Sequence, residues 1–137
     1  MADTFEFELV APEKLIFSDN IEFVVVPGAE GDFGVLPGHA LMLSTIRPGL
    51  IEIYDNDKPK EHFFVGGGFA EVTSERCTVL STESLNLAEY DEDHARKRLE
   101  KAEQKLGTAS SDTERETYEK EVEVVQALMA AYANMKK

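Results

Sequence analysis

The 137-residue sequence predicts a β sandwich of about 8–10 antiparallel strands followed by a C-terminal antiparallel two-helix hairpin. Three observations carry this reading. Apolar and polar residues alternate in short runs from residue 4 to about residue 82. Turn-forming residues break those runs at short, regular intervals. After about Glu89 the apolar spacing changes from two to three and four. A period of two marks a strand half-buried in a sheet, and the three–four spacing marks one face of a helix.

The first run, "FEFEL", puts Phe5, Phe7 and Leu9 on one face and Glu6 and Glu8 on the other. That is the alternation a pleated strand imposes. Further strands are read in "KLIFS", "IEFVVVP", "LMLSTI", "GLIEIYD", "EHFFVGG", "FAEVTS" and "RCTVLS". Between them stand Ser18-Asp19-Asn20, Pro27-Gly28, Pro37-Gly38, Pro48-Gly49, Asp55-Asn56-Asp57 and Ser74-Glu75, all turn chemistry. "IYDNDKPKEHFF" has the form of a hairpin, two apolar-aromatic strands around a polar loop. Short strands at this spacing build a sandwich or flattened barrel.

The helical segment opens with Ala95, Leu99, Ala102 and Leu106 in a narrow stripe, ended by Gly107. Ser111 and Glu114 fit a capping box for a second helix. Its stripe runs Tyr118, Val122, Val125, Met129 and Tyr132. Two narrow stripes joined by a short loop predict a helical hairpin that must lean on another surface, because short helices are marginal alone. The expected organisation is a sandwich over residues 1–88 and a hairpin over 89–137.

Charge narrows the function. Fourteen basic against 27 acidic residues give a net charge of −13. Such a chain offers no uniform basic face for nucleic acid or for an anionic lipid surface, and no lipid insertion is expected. Nine of the 14 Lys and Arg fall in residues 91–137, so the two segments have different surfaces. The single cysteine, Cys77, excludes an internal disulfide framework and reads as a small buried apolar residue in a strand.

Enzyme motifs are missing their parts. "PGAEGDFGVLPGH" carries Gly28, Gly31, Gly34 and Gly38. A P-loop needs lysine and a hydroxyl after its last glycine, where this chain has His39 after Gly38. No dinucleotide fingerprint is present either, so the glycines are read as tight turns. His39, His62 and His94 stand in separate elements without metal-ligand spacing, which leaves a cupin-type metalloenzyme without its constellation. Serines such as Ser44 and Ser81 lie in no nucleophile elbow. No catalytic residue and no metal site are expected.

"VPGAEGDFGVLPGHA", then "RPGLIEI", then "GGGFAEV", then two helices closely resemble, in order and over the whole chain, the epsilon subunit family of bacterial F-type ATP synthase, equivalent to mitochondrial delta. The resemblance implies a non-catalytic rotor subunit of the central stalk. Its partners are then the gamma subunit and the polar loops of the c-ring, and through the helical tail the catalytic beta subunit. Its place is peripheral, on the cytoplasmic face of the bacterial inner membrane. The glycine-rich segment becomes a rigid, turn-built foot. Glu30, Asp32 and His39 become candidates for the c-ring contact, with a solvated turn acid as the alternative for Asp32 and a local backbone bond as the alternative for His39. Gly67 and Phe69 in "GGGF" are contact candidates for gamma, or serve close packing inside the sandwich.

Some members of the family bind ATP in the tail through a motif of the form [IL]DxxRA. This chain has "YDEDHA", which keeps Asp91 and Ala95 but puts His94 where arginine belongs. A mostly neutral imidazole does not replace a forked, permanent cation beside phosphate, so no ATP is expected as a cofactor. A nucleotide-sensing regulator is the competing reading. The tail is also expected to be a weak brake on hydrolysis. Arg96, Lys97, Arg98, Lys101 and Lys105 serve equally as a solvated face, and Glu116, Glu119, Glu121 and Glu123 have the wrong sign for an acidic target.

Overall fold

The computed structural model describes residues 3–136. Ten strands and two long helices appear in chain order, as the sequence predicts. The strands are β1 (Phe5–Ala11), β2 (Lys14–Ile21), β3 (Phe23–Gly28), β4 (Gly31–Val35), β5 (Met42–Ile46), β6 (Gly49–Asp55), β7 (Lys58–Val65), β8 (Gly68–Val72), β9 (Arg76–Ser81) and β10 (Ser84–Asn86). A single 3₁₀ turn, Leu87–Glu89, leads into α1 (Glu92–Gly107) and α2 (Asp112–Met135).

The sheet runs β10-β7-β6-β3-β5-β8-β9-β1-β2, with β4 branching from β3. Its two halves meet at one backbone pair, Gly28 with Ile46, where the ribbon folds over on itself. The halves then close around a core that includes Phe5, Phe7, Leu9, Val24, Ile51, Phe63 and Val79. Phe17 of β2 lies 5.3 Å, centroid to centroid, from Phe63 of β7, so the ends of the ribbon meet inside. Cys77 is part of the same core, and burial pushes its thiol up to about 12.

Three sequence readings are corrected here. The sandwich is not wholly antiparallel: β1 pairs with β9 in parallel, Glu6 with Arg76 through Val10 with Leu80. A parallel pair needs a long connection, and everything between β1 and β9 supplies it. The glycine-rich segment is not a set of turns alone. Gly31–Val35 forms β4, which pairs back on β3 around the two-residue turn Ala29-Glu30. Its glycines concealed the strand: Gly34 has no side chain because the Phe23 ring occupies that space, 2.6 Å from an added Cβ. The third is β10, three residues long and without visible alternation.

The helix ends also differ in detail. Gly107 stays helical, and the Thr108 hydroxyl closes α1 by donating to the Gln104 and Lys105 carbonyls. Ser111 caps α2 as read, accepting from the Glu114 amide, but Glu114 reaches back to Ser110 instead of to Ser111. The hairpin leans on the sandwich, as its narrow stripes require. α2 buries Val124, Leu128 and Ala131 against Phe64 and Leu87, a face the sequence stripe did not include.

Candidate functional site

The outer faces of the two sheet halves are built alike and finished differently. On one, Leu50 of β6, Phe64 of β7 and Leu85 of β10 form a cross-strand row. The chain covers it with its own α2, and Phe64 is fully buried. On the other, Leu15, Val10, Leu80 and Phe69 are successive register partners across β2, β1, β9 and β8. Among the described residues nothing covers that row. Leu15 is 56% exposed, Leu80 54% and Phe69 55%, and Leu43 of neighbouring β5 is 73% exposed.

Alternation in each strand dictates this. Ala70 and Val72 of β8 and Cys77 and Val79 of β9 point inward, so Phe69, Glu71 and Leu80 must point out. Single exposed leucines are ordinary on protein surfaces, but a contiguous apolar row with a polar surround marks an interaction face. The surround here is charged: Arg76 pairs with Glu6 at 2.8 Å and reaches Glu8 at 3.5 Å.

"GGGF" supports this face from behind. Gly67 is buried at φ +108, and Gly68 adopts φ +147 with its Cβ position 1.9 Å from the Leu80 carbonyl oxygen. Only glycine lets β8 start so close to the end of β9. The glycines therefore serve packing within the sandwich, while Phe69 faces outward.

The glycine-rich hairpin carries Glu30 and Asp32, both exposed. Arg47, absent from the candidates read from the sequence, ties Asp32 to the hairpin turn. Its guanidinium donates to the Gly28 carbonyl and to the Asp32 carboxylate, each at 2.5 Å. The hairpin turn bonds to β5 through the Ala29 amide and the Thr45 carbonyl at 2.8 Å. His39 lies elsewhere, at the opposite end of the β5–β8 pairing, where the Gly38 amide meets the Ser74 carbonyl. The His39 ring makes the local contact, Nδ1 to the Ala40 carbonyl at 2.7 Å. The structure thus joins Glu30 and Asp32 and leaves His39 apart.

In the tail, Asp91 caps α1 by accepting from the Asp93 and His94 amides at 3.0 and 3.2 Å. His94 is exposed and Ala95 is buried against the sandwich. A cleft between the helices is lined by Arg98, Lys101, Lys105, Tyr118 and Lys120. Arg98 is not part of a solvated face, as the sequence had suggested. Its guanidinium binds Glu83 of the β9–β10 loop through two bonds of 2.8 and 2.9 Å and Glu121 of α2 through two of 2.8 and 3.2 Å. Glu83 first and Glu121 second hold it protonated above the ordinary arginine range. Tyr90 stacks on Tyr132 with centroids 4.1 Å apart, and burial and its bond to Glu92 push its phenol up to about 12.

Among the described residues no group of three or more His, Cys, Asp and Glu is placed to hold a metal ion. No described helix is long and apolar enough to cross a membrane. An uncovered apolar sheet face, a polar hairpin foot and a docked helical pair define an interaction subunit. The chain belongs to the ATP synthase delta/epsilon family, whose β-sandwich domain model matches residues 4–86. It is 50% identical over 131 residues to the ATP synthase epsilon chain of Rhodospirillum rubrum, covering 96% of this chain and 98% of that one. The epsilon chain of Paramagnetospirillum magneticum is 45% identical over 133 residues, covering 97% and 100%. A chain in the Euglena gracilis mitochondrial ATP synthase structure of OSCP, F1 and c-ring superimposes with a TM-score of 0.77 at 26% identity, covering 93% of this chain and 81% of that one. A chain of the Tetrahymena thermophila central stalk and c-ring shares the fold, with a TM-score of 0.67 at 14% identity and coverage of 96% and 98%. The family role of this chain is that of an accessory, non-catalytic subunit.

Proposed function

We infer that this chain is a rotor subunit of the central stalk of F-type ATP synthase, which bridges the gamma subunit and the c-ring and so couples ring rotation to ATP synthesis. The observation that carries the reading is the uncovered row Leu15, Val10, Leu80 and Phe69, with Leu43 beside it. A rotor subunit must grip a partner without slipping, and a flat apolar patch on a rigid sandwich meets that need. We assign this face to gamma. The c-ring contact is assigned to the hairpin at Glu30 and Asp32, where Arg47 holds the turn by pairing with Asp32 and the exposed Glu30 carries the negative charge that complements basic loops. The subunit is then peripheral on the cytoplasmic face of the bacterial inner membrane.

The tail has a lesser part in this reading. Asp91 is committed as a helix cap, and His94 offers no fixed cation, so ATP is not a cofactor. Arg96 is paired with Asp93 and Arg98 with two glutamates, which withdraws two cations from any contact with the beta subunit and leaves a weak brake. The test is reconstitution of the catalytic complex with the whole chain, binding to purified gamma being read first. Wild type binds and Leu80→Glu does not in this reading. Equal binding by both removes the apolar face from the interface.

A further inference from the structure

A groove runs between the three-glycine turn of the sandwich and the first half of α2. Its volume is about 590 Å³, and the bare backbone of Gly66, Gly67 and Gly68 lines it. Pro48 and Thr82 border it on the sandwich side, and Glu116, Glu119 and Glu123 border it on the helix. Phe69 lines it too. That same ring belongs to the exposed apolar row, where it is the register partner of Leu80 and is 55% exposed. Row and groove are therefore one continuous surface, apolar on the sheet and acidic where the sheet meets α2.

The acidic charge is not used within the fold. Glu116, Glu119 and Glu123 are spaced three and four apart, so they share a helix face and repel one another. All three are exposed, and among the described residues none of them makes an ion pair. Glu121, between them in sequence, is held by Arg98 instead. Lys120 lines both this groove and the cleft between the helices. Three carboxylates less one ammonium leave the groove with two net negative charges. Such a surface fits long cationic side chains, whose charged ends meet the glutamates while their stems lie on Pro48 and Phe69.

We propose that this groove takes a lysine- or arginine-bearing segment of gamma, so that gamma touches α2 as well as the sandwich. The proposal rests on the assignment of the apolar row to gamma and adds a charged contact beside it. The helical pair, docked as it is here, is then part of the gamma-binding surface. Charge beside an apolar contact governs encounter rate and orientation more than affinity, so its signature is a salt-dependent association rate.

Association of the full-length chain with purified gamma, followed at low and at high salt, tests it. At low salt the triple variant Glu116→Gln, Glu119→Gln, Glu123→Gln associates about tenfold more slowly than wild type, and at high salt the two rates converge. Thr82→Lys puts an ammonium on the sandwich wall of the same groove and slows association in the same way with α2 untouched. Leu80→Glu, by contrast, weakens binding at both salt concentrations. Equal low-salt rates for wild type and the triple variant overturn the proposal, leaving the groove to some other basic partner and the apolar assignment standing. A slow triple variant beside a wild-type rate for Thr82→Lys also overturns it, because the helix rather than the groove has then been disturbed. A wild-type chain that binds no gamma at all removes both the proposal and the reading it rests on.

Discussion

Phe69 and Leu80 are register partners across β8 and β9, on the outward side of strands whose other residues fill the core, and both stay more than half exposed. The same strands carry Ala70 and Val79, paired and fully buried, on the opposite side. One sheet therefore has two apolar faces, of which the fold uses one. The other is available to a partner at no cost to the core.

Leu80→Glu separates binding from stability. The side chain is exposed, so the change leaves the melting temperature within a few degrees of wild type, as surface substitutions do within about 0.5 kcal/mol. A charge at the centre of the apolar row weakens gamma binding by about 2 kcal/mol or more, on the order of 30-fold. Titration of purified gamma with both forms measures this. A large loss of stability, or equal affinity, contradicts the assignment of the face.

The two glycines Gly68 and Gly107 respond oppositely to alanine. At Gly68 the new Cβ would meet the Leu80 carbonyl oxygen at 1.9 Å with φ at +147, and backbone cannot yield there. Gly68→Ala costs about 3 kcal/mol or more and loosens the β8–β9 junction under the apolar row. At Gly107 nothing lies within 4 Å of an added Cβ, and the residue is helical. Gly107→Ala stabilises α1 by about 0.5–1 kcal/mol. Urea unfolding of the pair shows both signs in one experiment.

Strands with one wet face were legible because alternation survives wherever a sheet has an inside and an outside, as in Phe5, Phe7 and Leu9. It fails where glycine replaces the side chain that would show the period. β4 was hidden for that reason, since Gly31 and Gly34 are two of its five residues. The second face of α2 was missed for another. Val124, Leu128 and Ala131 lie beside Val125, Met129 and Tyr132, and one narrow stripe was taken where two overlap. The foot was half legible: Glu30 and Asp32 stood in the motif, but Arg47 lies 15 residues from Asp32 and only the β3–β5 junction brings it there. Arg98 and Glu83 are also 15 residues apart, and there it is the packing of α1 beside the β9–β10 loop that brings them together.

Leu128→Ala tests the overlap of those stripes. Leu128 is buried between α2 and the sandwich, in the cluster with Phe64 and Leu87. Truncation removes packing and leaves a cavity, together about 2–5 kcal/mol for a buried leucine. That loss appears in the protection of the hairpin amides and not in those of β8 and β9, because the sandwich core is a separate cluster. Uniform acceleration across the chain means that hairpin and sandwich unfold as one unit.

Cys77 gives a pH dependence whose sign follows from burial. The thiol lies in the core with no exposed surface, and desolvation alone raises its pKa from 9.0 to about 12. Between those values the unfolded chain has lost the proton and the folded chain still holds it, so unfolding is favoured as pH rises. Below pH 9 both states carry the neutral thiol and its contribution is fully present. Above it, stability declines by about 1.4 kcal/mol per pH unit until the folded thiol itself ionises near 12. Cys77→Ala removes this component of the slope, at the price of a small cavity and a lower plateau at neutral pH. Urea midpoints for wild type and Cys77→Ala from pH 7 to 11 therefore converge as the pH rises, and parallel curves show that the thiol ionises within the fold. The same burial keeps the thiolate fraction negligible at neutral pH, so Cys77 resists alkylation in the folded chain and reacts only as fast as the sandwich opens.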